Sequence, residues 1–115
     1  IEKIMPKIKR IEHKFLHDSE IPWTRGESQV EFLTVIWVIK EALYKLHPSK
    51  YWSLKKHYKV EPFSLEDLSA VRCEVFDTHF KDSYVAKVQK IEDYYFAIIE
   101  ENHQLNFPLK PNALF

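Results

Sequence analysis

One glycine and one cysteine in 115 residues set the first limits on this chain. With Gly26 alone, no glycine-rich loop can wrap a phosphate in backbone N–H groups. Any phosphate must be held by side chains, by a metal, or by parts outside this sequence. With Cys73 alone there is no internal disulfide framework, which fits a reducing compartment. Net charge is missing too: 17 basic and 17 acidic residues cancel, so nothing points to nucleic acid or an anionic membrane as a partner. The longest uncharged part of the most apolar segment, residues 32–39, is far short of the ~20 residues a membrane span needs. No signal peptide is visible, and a cytoplasmic location is expected. What is present is globular in character, 30% charged and 15% aromatic, enough for one domain or a piece of one. There is no internal repeat and no low-complexity segment.

Apolar periodicity divides the chain into helices and then strands. Ile4, Ile8, Ile11 and Phe15 recur at helical spacing and predict an amphipathic helix begun near Pro6. Lys3, Lys7, Arg10 and Lys14 form a second stripe beside it, either a solvated face or a docking surface for an acidic partner. His17 to Glu20 reads as a short helical turn cut off by Pro22, followed by a loop to Glu27. Ser28-x-x-Glu31 has the form of a capping box and starts a long central helix that runs to about Leu46, where Pro48 stops it. Residues 47–58 read as an irregular connection and residues 60–63 as a short strand. Alternation then predicts strands around Val71, Cys73 and Val75 and around Tyr84, Ala86 and Val88. Residues 94–99 are a continuous apolar run expected to be covered on both faces, joined to the preceding strand by a tight turn at Glu92-Asp93. The expected architecture is α+β, a long central helix packed on a small antiparallel sheet of about three strands, over residues 1–101. Residues 102–115, with Pro108 and Pro111, are expected to be an extended or partly disordered tail.

The central helix is apolar on nearly every side yet carries Glu41 and Lys45 one turn apart. A buried carboxylate is tolerated only where it meets a cation or a metal, so this pair is either an internal ion pair or a working site. Trp37-x-x-Lys40-Glu41-Ala42-x-x-Lys45 resembles the W-x-x-K-E-[AS]-x-x-K signature of the 4′-phosphopantetheinyl transferases, of the larger surfactin-synthetase-activating type. Ile1-Glu2-Lys3 resembles the end of that family's G-[IV]-D-I-E strand. Lys14-Phe15-Leu16 followed by Glu20 resembles its K-F-[FL]-S-x-x-E helix. Order and spacing agree at all three places, over roughly residues 1–100.

The resemblance implies one lobe of a two-lobed fold, here the C-terminal lobe, with coenzyme A bound in the cleft between lobes. It implies transfer of the 4′-phosphopantetheine arm of coenzyme A to a serine of an apo acyl or peptidyl carrier protein, assisted by Mg²⁺. Under it Glu41 is a metal ligand and, through water, a group that helps deprotonate the serine; Glu2 is a second metal ligand. Lys45 binds the diphosphate and offsets the departing charge, with Lys40 and Lys50 as further phosphate contacts. Trp37 packs the helix against the sheet. The Asp of the family's D-x-E pair would fall just before Ile1, and the Gly-Lys-Gly loop of relatives is replaced here by His47-Pro48-Ser49-Lys50. An N-terminal lobe or a second copy of the chain is therefore expected to complete the site, and a non-catalytic docking module is the alternative. His13 and His17 have the spacing of a helical metal pair but no local third ligand, and Cys73 falls at an inward strand position expected to be core.

Overall fold

The computed structural model describes residues 1–49 and 52–101. Its centre is α2, Gln29–Leu46, laid across a five-stranded antiparallel sheet. The strands are β1 (Glu2–Lys3), β2 (Tyr58–Val60), β3 (Val71–Phe76), β4 (Lys81–Ile91) and β5 (Tyr94–Glu101), in the spatial order β1-β5-β4-β3-β2. The α+β expectation holds, with five strands where about three were expected. The two extra strands stand at the sheet's edges and are short. β1 has two residues, too few to carry a periodicity. β2 begins at Tyr58, inside the segment expected to be irregular, and shares only Val60 with the short strand expected at residues 60–63.

The β4–β5 hairpin turns at Glu92-Asp93, with Ile91 facing Tyr94. Glu92 takes the left-handed φ of 53° that such tight turns require. Alternation sends Val71, Cys73, Val75, Tyr84, Ala86, Val88 and Tyr95 to one face, where Leu33, Ile36, Ile39 and Leu43 of α2 complete the core. The run 94–99 is not covered on both faces. Tyr95 is buried, but Tyr94 and Ile98, one residue out of phase, are 41% and 55% exposed, and no second layer of described residues lies over that side.

Before α2 the expected single helix divides. A 3₁₀ turn, Pro6–Arg10, gives way at Ile11 to a one-turn helix α1, Glu12–Phe15. The helix ends at Phe15 because its ring is buried against Trp37 (5.1 Å between centroids) and its carbonyl turns to a lysine. The helix α2 starts where Ser28 places it, but the capping box does not form. Ser28 sits at ψ 20° instead of the extended value of an N-cap, and makes no side-chain cap. Glu31 reaches Lys90 of β4 instead, at 3.1 Å. A capping box does occur one element earlier, where Glu20 accepts from the His17 N–H and Ser19 N donates to the His17 ring.

Candidate functional site

Two consecutive residues of α2 carry charge into different surroundings. Lys40 is fully buried, 0% exposed, and so is the carboxylate it meets, Glu20. The Lys40 ammonium has three hydrogens and three acceptors: Glu20 Oε1 at 2.8 Å, the Phe15 carbonyl at 2.7 Å and the Leu54 carbonyl at 3.2 Å. Glu20 in turn accepts from the backbone N–H of His17 and, through Oε2, from that of Val60. Burial pulls the ammonium down to about 8, against which the Glu20 charge works. Each lone pair and hydrogen that matters is used, which is the condition for keeping a buried ion pair. This arrangement leaves Lys40, expected as a phosphate contact, with no donor to offer one.

Glu41, one residue on, projects about 100° around the helix toward β1 and the open end of the sheet. Among the described residues neither of its oxygens receives a hydrogen bond, and no ion pair joins it to Lys45. Its carboxyl is held above the ordinary range, first by partial burial and then by the charge of Glu2, with Lys45 pulling the other way. Glu2 is carried to this place by β1, whose pairing with Tyr94 and Tyr95 lays it beside α2. Trp37 Nε1 donates to Glu2 Oε1 at 3.3 Å, so the tryptophan both packs on Phe15 and fixes the second carboxylate.

Glu41 opens onto a groove shared with Ile1, Val38, Ala42, Lys45, Leu46, Ala97 and Ile99. A second concavity, with Tyr44, Lys45 and Leu54, adjoins it. Lys45, Tyr44 and Leu46 are exposed, so the last turn of α2 is open to solvent and not sealed as its apolar sequence implies. The structure thus sets Glu41 and Lys45 on one groove, with the charge of Glu2 reaching Glu41 from the neighbouring one, and turns Lys40 into the core; Lys50 lies outside the described residues.

Two carboxylates that repel one another, one with no donor among the described residues, suit a divalent cation with oxygen preference. Mg²⁺ commonly takes one or two carboxylates and completes its shell with water and substrate phosphate oxygens. No cluster of three or more His, Cys, Asp or Glu occurs among the described residues, so Glu2 and Glu41 would hold such an ion together with non-protein oxygens. The other candidates fall away. His13 is exposed, while the His17 ring is engaged with Ser19 in the cap. Burial pushes the Cys73 thiol up to about 12, the opposite of what a nucleophile needs. Sequence reasoning missed the role of Glu20 as the counter-charge of Lys40. The signal was there in two motifs, one holding each residue, but nothing in their 20-residue separation said that they meet.

Residues 1–99 match the sequence model of the 4′-phosphopantetheinyl transferase superfamily. No curated protein and no solved structure matches the chain. Among the described residues no helix is long and apolar enough to cross a membrane.

Proposed function

The chain belongs to the 4′-phosphopantetheinyl transferase superfamily, and from that premise we propose that it supplies the C-terminal half of a site transferring 4′-phosphopantetheine from coenzyme A to a carrier-protein serine. The observation that carries this reading is the pairing of Glu41, without a donor of its own, with Glu2 on one side and the exposed Lys45 on the other. Held by Glu2 and Glu41, Mg²⁺ would offset charge on the diphosphate oxygens. Lys45, one turn beyond Glu41, meets the diphosphate and balances the negative charge left on adenosine 3′,5′-bisphosphate as it departs. Glu41 takes the serine proton through water. Coenzyme A and an apo acyl or peptidyl carrier protein are the partners, and an N-terminal lobe or a second copy closes the groove.

In the intact protein, Glu41→Ala should abolish labelling of apo carrier protein by a fluorescent coenzyme A, and chelation of Mg²⁺ should do the same. Unchanged labelling by the variant would remove Glu41 from the chemistry. One observation favours a second reading, that of a docking module. Lys3, Lys7 and Arg10 line a groove with Met5, Ile8, Ile11 and Trp37, three cations against the single carboxylate of Glu2. An acidic partner docked there would bind in a salt-sensitive manner and weaken when Lys7 and Arg10 are neutralised, without any dependence on Glu41.

A further inference from the structure

His47, the residue that ends α2, is held from two directions. Its carbonyl, one of the orphaned acceptors at a helix C-terminus, accepts from the Tyr58 hydroxyl at 2.9 Å. Its ring Nε2 contacts the Tyr84 hydroxyl, and that hydroxyl donates to Asp82 Oδ2 at 2.8 Å. Tyr84 thus joins His47 to Asp82, and Nε2 also lies 3.7 Å from Asp82 Oδ2. The ring is packed besides on Phe80 and on the Tyr84 ring. Tyr58 leans on Tyr44, which lines the concavity of Glu41 and Lys45. The wall behind Lys45 is therefore a continuous set of contacts from Asp82 on β4 through Tyr84, His47 and Tyr58 to Tyr44.

We propose that His47 is a positioning residue, clamped by Tyr84–Asp82 and Tyr58 so that the last turn of α2 holds Lys45 in place for a diphosphate. The inference rests on the transferase reading above and deepens it. A glycine-rich loop at this place must be ordered when the phosphate arrives, whereas a helix end already fixed loses little freedom on binding. The segment His47-Pro48 has no glycine to order, and the clamp supplies the fixed geometry by other means.

The test uses the full-length protein, measuring coenzyme A binding with Mg²⁺ by calorimetry and transfer to apo carrier protein. His47→Ala should lower kcat/KM for coenzyme A by between about tenfold and a hundredfold, the range of a small misplacement. His47→Gln, whose amide nitrogen can stand where Nε2 stands, should restore most of it. Tyr84→Phe keeps the buried ring and removes the hydroxyl, so it should reproduce the alanine kinetics even if His47→Ala folds poorly. In a Lys45→Ala background His47→Ala should cost almost nothing further, because both changes act on one contact. Wild-type kinetics for His47→Ala and Tyr84→Phe, no rescue by Gln, or an undiminished cost in the Lys45→Ala background would each overturn the inference alone. Absence of Mg²⁺-dependent coenzyme A binding by the wild type would overturn the transferase reading and this inference with it.

Discussion

Lys40 and Glu41 are neighbours in sequence and opposites in circumstance. Around Lys40, Glu20 and two carbonyls use up the ammonium, and Glu20 is itself saturated by backbone donors. Around Glu41 the protein provides partial burial and a second negative charge, with Lys45 in opposition. The helix that carries both is the same, so the difference lies in what the rest of the chain brings to each side. One side is finished by the fold. The other has no donor among the described residues, and under the proposed function a Mg²⁺ ion finishes it.

The comparison breaks most visibly on the finished side. Lys40→Met should cost about 3–5 kcal/mol, because it strands the Glu20 carboxylate in the core; a denaturant melt would read it. Replacing both partners of a buried pair often recovers the loss, but here adding Glu20→Leu should not. The backbone N–H groups of His17 and Val60 and the carbonyls of Phe15 and Leu54 would lose their partners together. Recovery in the double variant would mean that the pair is an isolated interaction and not the hub described.

On the unfinished side the effect is smaller and has the opposite sign. Because burial and Glu2 raise the Glu41 carboxyl, the folded state binds its proton more tightly than the unfolded chain does. That contribution is fully present below the ordinary carboxylate pKa and is lost as pH rises through the raised value. Without Mg²⁺ at neutral pH, Glu41→Gln should therefore melt higher than wild type by about 1–3 °C, the advantage vanishing toward pH 4 and on adding Mg²⁺. A lower melting point for the variant would mean that Glu41 has a protein partner after all. The smallest effect belongs to the start of the helix. Ser28→Ala should change stability by less than about 0.5 kcal/mol, below the usual loss at an N-cap, since the Ser28 side chain caps nothing.

The span of α2 could be read from the chain because a long apolar segment lies between Ser28 and the helix-stopping Pro48, and local rules suffice for that. The β4–β5 turn could be read for the same reason: its flanking residues are near neighbours. The capping box misled because Glu31 had a better partner in Lys90, 59 residues away. Edge strands β1 and β2 were legible only in part, β1 through motif likeness and β2 as a strand expected two residues too late. Pairing with a longer strand, and not their own pattern, sets their bounds. At the site, Glu41, Glu2 and Lys45 came from motif likeness. The burial of Lys40 did not, because an all-apolar helix gives no sign of which side faces the core and which faces the groove.

The hub around Glu20 has a consequence for how the chain is made. Phe15, Glu20, Lys40, Leu54 and Val60 meet at one point, so no stretch ending before Val60 can form it. During synthesis residues 6–46 leave the ribosome before β2 and must wait, exposed, for it to follow. Such late closure delays compaction and favours an all-or-none transition, with chaperone attention falling on α2 in the interval.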